Sequence, residues 1–184
     1  NNNLVTTANI SEVTSMTVNE LLISDLTGIE AFAALISLDC SNNNLSSLNI
    51  SNNMNLEQLS CYNNSLSGSL DVSDHTSLAY LDVNGNDLSS LNVKNGNNSN
   101  FTYFSADSNP NLTCIEVDNA ANIPNSWTKD PASTYVNDQT GCAALKTSVP
   151  DANFEAYLET HNAAGVVVPV GDASSMGDGI ENNN

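Results

Sequence analysis

Leu35-Ile-Ser-Leu-Asp-Cys-Ser-Asn-Asn-Asn-Leu45 is followed by Leu56-Glu-Gln-Leu-Ser-Cys-Tyr-Asn-Asn-Ser-Leu66 and then by Leu78-Ala-Tyr-Leu-Asp-Val-Asn-Gly-Asn-Asp-Leu88. The shared frame is Leu-x-x-Leu-x-(Cys/Val)-x-x-Asn-x-Leu, with a step of about 22 residues. A looser copy, Phe101-x-x-Phe104-x-Ala106-x-x-Asn109, comes after it. An earlier one, Val13-x-x-Met16-x-Val18, has Leu21 where the asparagine belongs. Self-similarity at a fixed period decides the architecture before any local propensity does.

Within each copy the leucine core reads as a short strand, because alternate side chains of a strand point to opposite faces. The residues at 35, 38, 40 and 45 and their equivalents then point inward. A single coil cannot bury them, so neighbouring coils stack and share one elongated core. Asn43, Asn64, Asn86 and Asn109 recur at the sharp turn, where a buried amide satisfies backbone groups the turn leaves unpaired. Stacked at one strand spacing, about 4.8 Å, they form an amide ladder. Leu48-x-Ile50, Leu70-x-Val72 and Leu91-x-Val93 alternate with period two on the returning half, which predicts a second extended segment there. The expected fold is a leucine-rich repeat solenoid of parallel β coils of about 22 residues with little helix. The expected organisation is coils over 1–112, a carboxyl-terminal cap over 113–147 and a further cap segment over 148–184.

Composition narrows the partners. The 184 residues carry 21 acidic side chains against three Lys/Arg, all lysine, for a formal net charge of −18. Phosphate backbones need cations, so nucleic acid and anionic membrane surfaces are excluded as partners. No run of about 18 apolar residues exists to span a bilayer. Cys40 and Cys61 hold the same inward position in successive copies and read as small buried hydrophobes. Cys114 and Cys142 flank the segment after the last copy and are expected to form a disulfide, which implies an oxidising, extracellular location.

Catalysis finds little support. His75 and His161 belong to no His-Glu-x-x-His or Gly-x-Ser-x-Gly context, and no Gly-x-x-x-x-Gly-Lys loop is present. Asp172, Asp178 and Glu181, among glycines at 171, 177 and 179, offer oxygen ligands for Ca²⁺, but turn chemistry explains them as well. No cofactor is expected. Asn-x-Ser/Thr sites such as Asn49, Asn100 and Asn111 arise readily in so Asn-rich a chain.

Residues flanking each inward leucine should share the concave sheet face. The binding candidates are Asp39, Tyr62, Tyr80, Asp82, Tyr103 and Asp107, since tyrosine couples an apolar ring to a polar tip. Strand preference and edge solubility would place the same residues there without any ligand.

Ile23-Ser-Asp-Leu-Thr-Gly-Ile29, Leu38-Asp-Cys-Ser-Asn-Asn-Asn-Leu45, Asn109-Pro-Asn-Leu-Thr-Cys-Ile115, Val149-Pro-Asp-Ala-Asn-Phe-Glu155 and Gly177-Asp-Gly-Ile180 cover most of the chain. As a set they resemble secreted leucine-rich repeat proteins of Bacteroidetes and flavobacteria, distantly similar to internalins. The resemblance implies an exported, surface-associated adhesion or interaction protein with no catalytic residue. In such proteins the Val-Pro-Asp-x-Asn-Phe-Glu stretch opens an amino-terminal cap, whereas here it follows the coils. The tail Gly177–Asn184 and the head Asn1–Ile10, overlaid at their asparagines, restore the family's uninterrupted cap. The unit then recurs about every 181 residues.

Ser148-x-x-Asp151 resembles a capping box. Phe154, Tyr157 and Leu158 form a helical stripe too short to stand alone in water. That stripe is expected either to fold back on its own solenoid or to cover the first coil of a neighbouring unit. The favoured expectation is a non-enzymatic extracellular structural or adhesive unit of a head-to-tail array or filament, with neighbouring copies as partners. The alternative is a monomeric surface module that recognises a glycan or protein through its concave face.

Overall fold

The computed structural model describes residues 10–138, all within one compact unit. The repeat frame becomes a parallel solenoid. One sheet has six strands, β1 (Ser15–Thr17), β2 (Ser37–Asp39), β3 (Gln58–Ser60), β5 (Tyr80–Asp82), β7 (Tyr103–Ala106) and β9 (Thr128–Lys129), in the order β1-β2-β3-β5-β7-β9. The returning side carries β4 (Ser67–Asp71), β6 (Asp87–Asn92), β8 (Cys114–Glu116) and β10 (Thr134–Val136), ordered β10-β8-β6-β4. Every pairing is parallel. Helix among the described residues is limited to two 3₁₀ turns, Ile29–Ala31 and Asn98–Asn100.

Register follows the repeat frame. Met16, Leu38, Leu59, Leu81 and Phe104 are successive Cα partners across the larger sheet. Leu35, Leu45, Leu56, Leu59, Leu78 and Leu81 are wholly buried. Parallel stacking puts like residue on like, so one side-chain shape repeated at one spacing fills the interior. The leucine run ends in aromatics. The Trp127 ring stacks on Phe104 with centroids 4.2 Å apart and leans on Phe101 at 5.2 Å.

Two features depart from the repeat frame. Coil geometry continues past residue 112, since β8, β9 and β10 lengthen both sheets. Sequence hid this sixth coil because Trp127 and Thr128 replace the leucine frame. Of the three expected returning segments, 70–72 and 91–93 overlap β4 and β6, whereas 48–50 is not a strand. Ser67 N still reaches Ser46 O at 3.4 Å, and a cleft of about 90 Å³ is lined there by Ser47, Leu48, Ser67, Ser69 and Leu70 among others.

The asparagine ladder forms as expected. Asn64 Nδ2 donates to Cys40 O at 3.1 Å and to Cys61 O at 3.0 Å, while its Oδ1 accepts from Leu45 N at 3.0 Å. Asn43 and Asn109 bridge in the same way, to Val18 O and Val83 O of the coil before. The residue just before each ladder asparagine is left-handed: Asn42 (φ 52), Asn63 (φ 51), Gly85 (φ 66) and Ser108 (φ 56). That conformation suits glycine and asparagine, which explains the Asn-Asn and Gly-Asn pairs.

Candidate binding face

The outward side of the six-stranded sheet is built from three rows. Strand alternation sends Leu38, Leu59 and Leu81 into the core and turns their neighbours out. Register then aligns Ser37, Gln58, Tyr80 and Tyr103 in one row, and Asp39, Ser60, Asp82 and Ser105 in the next. Tyr62, Asn84 and Asp107 continue from the strand ends. All six sequence-predicted binding residues therefore lie on or beside one sheet face.

Tyr80 and Tyr103 stack directly, with centroids 4.7 Å apart and planes inclined by 17°. The Tyr62 hydroxyl accepts from Asn42 Nδ2 at 3.0 Å. On the side of Tyr80 away from Tyr103 lies an open depression of about 320 Å³. Thr17, Ser37, Asp39, Gln58, Tyr62 and Tyr80 are among the residues lining it.

Electrostatics on this face are one-sided. Burial pushes the Asp82 carboxyl above the usual carboxylate range, and Asp107 and Asp39 push it the same way. Hydrogen bonds from Asn84 N and the Tyr103 side chain partly oppose that rise. Burial raises the Tyr80 phenol too, with Asp82 adding to it. Lys94 reaches Asn137 O at 2.6 Å and lies 3.8 Å from Glu116. Lys129 donates to Ser133 O at 2.6 Å and sits over the Tyr135 ring.

The two inward thiols are free and buried. Burial drives Cys61 well above the ordinary thiol range and Cys40 to about 12. Both are inert neutral packing groups, as expected.

His75 has a structural place. It is 2% exposed, and its Nε2 lies 3.2 Å from Ile50 O. It belongs to a second ladder that the sequence reading missed. There Asn53 Nδ2 donates to Ile29 O and Phe32 O, and Asn95 Nδ2 to His75 O and Leu78 O. The available signal was a polar residue three positions before Leu56 and Leu78. It was obscured because the rung changes from Asn53 to His75 and then shifts to Asn95, six positions before Phe101, while Asn98 bonds Val93 O and Asn95 Oδ1 of its own coil.

Phe154, Tyr157, Leu158, Cys142, Asp172, Asp178, Glu181 and His161 lie outside the described residues. Cys114 is buried at the start of β8. Among the described residues no group of three or more His, Cys, Asp or Glu side chains could hold a metal ion. No helix there is long and apolar enough to cross a membrane.

No protein-family model matches the chain, and no curated protein matches it. Among solved structures it is similar to the functional domain of InlJ from Listeria monocytogenes, described as including a cysteine ladder. Identity is 23% and the TM-score 0.49, over 73% of this chain and 43% of that one. The chain thus matches under half the length of that structure.

Proposed function

We propose that this chain is a non-enzymatic binding module that engages a protein or glycan through the outward face of its six-stranded sheet. The observation that carries this reading is the convergence of Tyr62, Tyr80, Asp39 and Gln58 around one depression beside the Tyr80–Tyr103 stack. Stacked tyrosines present rigid amphipathic area at little conformational cost. The rows of serine, glutamine and aspartate around them supply hydrogen-bonding groups. Solenoids commonly use such repeated surfaces for recognition. An extracellular, surface-exposed setting suits the reading, with a Cys114–Cys142 disulfide closing the end of the solenoid.

The test is selection of partners from a random-peptide display library and a glycan array. A partner whose binding is lost in the Tyr62→Ala/Tyr80→Ala/Tyr103→Ala variant, with thermal unfolding unchanged, supports the face. Undiminished binding by that variant removes it.

A second reading, one unit of a head-to-tail array, is favoured by the first coil. Leu21 and Leu22 are 61% and 77% exposed, and Val13, Met16, Val18, Ile23 and Leu26 are only partly buried. In this reading Phe154, Tyr157 and Leu158 of a neighbouring unit cover that coil. Contacts of this kind propagate without closing. Sedimentation showing a monomer at all concentrations, and single particles in micrographs, would exclude it for separate chains.

A further inference from the structure

The depression beside Tyr80 has chemistry that selects among protein and glycan partners. One face of the Tyr80 ring is covered by Tyr103 at 4.7 Å. Its other face fronts the depression, whose remaining lining comes from the strands before it. On the far side stands Asp39, two strands over and one row along from Tyr80, since Tyr80 aligns through Gln58 with Ser37 and Asp39 aligns through Ser60 with Asp82. Backbone to backbone that is about 12 Å at ordinary sheet spacing and rise. Asp39 Oδ1 is held by Ser41 N at 3.0 Å and Ser41 Oγ at 2.6 Å, which fixes the carboxylate in place. The lining includes hydroxyl, amide, carboxylate and aromatic groups but no cation. Of the two lysines among the described residues, both have hydrogen-bond partners elsewhere.

An aromatic face opposite a fixed carboxylate, in a slot of about 320 Å³, matches a planar cation. Guanidinium stacks on tyrosine and pairs with carboxylate, and it loses less hydration than ammonium. We infer that the depression seats an arginine side chain of a basic polypeptide segment, the guanidinium lying between the Tyr80 ring and the Asp39 carboxylate. The assignment rests on the binding-face reading and deepens it. The chain's formal charge of −18 would speed the encounter with such a segment, while the slot confers the local preference. A neutral sugar would gain the stacking but not the ion pair.

The probe is the peptide acetyl-Gly-Arg-Gly-Arg-Gly-amide, with its citrulline counterpart as the neutral isostere. It is titrated into the whole ¹⁵N-labelled chain and followed by amide chemical shifts. Saturable shifts centred on β2, β3 and β5 are expected, with the citrulline peptide at least fivefold weaker. Gln58→Lys places a cation in the slot from an exposed position, and Tyr80→Ala removes the ring. Each should weaken binding at least fivefold. Asp74→Asn removes an exposed charge away from the sheet and should change affinity less than twofold. Equal losses in Asp74→Asn and Gln58→Lys, equal binding of the citrulline peptide, or no saturable shift would overturn the assignment. A neutral oligosaccharide recovered on the glycan array and lost in the three-tyrosine variant would overturn it too, yet leave the binding face standing.

Discussion

Asn86 donates through Nδ2 to the carbonyl of Cys61, 25 residues earlier, at 3.1 Å. The same amide reaches Val83 O at 3.0 Å, and its Oδ1 accepts from Leu66 N at 3.0 Å. One side chain thus ties its own turn to the coil before it. Asn86→Ala leaves Leu66 N unpaired and takes one of two amide bonds from each of Cys61 O and Val83 O, which should cost about 2–4 kcal/mol. Asn86→Asp should be nearly as harmful, since a carboxylate cannot donate to either carbonyl. Exposed Asn44 makes no such bridge, and Asn44→Ala should change stability by under about 0.5 kcal/mol. Urea unfolding of the three variants provides the comparison.

His75 occupies the rung that Asn53 fills one coil earlier, with its ring nitrogen toward Ile50 O. A donor at that place matters more than an imidazole. His75→Asn should therefore fold normally, within about 1 kcal/mol of the parent. His75→Leu removes one of the two hydrogen bonds to Ile50 O, which Asn53 N still reaches at 2.9 Å, and should lose about 0.5–1.5 kcal/mol more than His75→Asn. Thermal unfolding tests the order; equal stability of the two variants would show that this hydrogen bond contributes nothing.

The larger sheet and the Asn43–Asn109 ladder were legible because leucine and asparagine recur with little substitution. Position alone fixes burial in a parallel stack, so Leu38, Leu59 and Leu81 needed no further information. The face residues followed from strand alternation. The Tyr80–Tyr103 stack was only implicit, since sequence gives the row but not the rotamers that bring the rings to 4.7 Å. The ladder containing His75 was illegible because its rungs exchange residue type. The sixth coil was illegible because aromatic packing around Trp127 replaces leucine there, and ring stacking leaves no periodic mark.

Cys40 and Cys61 remain protonated in the folded chain, with Cys40 raised to about 12 from an ordinary 9.0 and Cys61 raised as well. An acid whose folded pKa lies above its unfolded one binds more protons when folded. Its contribution to stability is full below about pH 9 and is lost as pH rises toward 12. Urea midpoints should hold level from pH 7 to 8.5 and fall above pH 9. Cys40→Val/Cys61→Val copies the Val83 rung and should keep neutral-pH stability within about 1.5 kcal/mol per site. Its midpoint should fall less steeply above pH 9. An unaltered alkaline slope would show that these thiols are not the source.

Leu22 combines a left-handed backbone, φ 58, with a side chain 77% exposed. Leucine is a poor choice for that conformation, and asparagine a better one. If the side chain has only solvent to meet, Leu22→Asn relieves the backbone without loss of packing and raises stability by about 0.5–1 kcal/mol. If instead the first coil is the docking surface of an array, the same change removes apolar contact area. Self-association measured by sedimentation would then weaken while the isolated unit still melts higher. Higher melting with unchanged association would place any inter-unit contact away from this coil. Lower melting in a wholly monomeric sample would mean that Leu22 packs within its own chain.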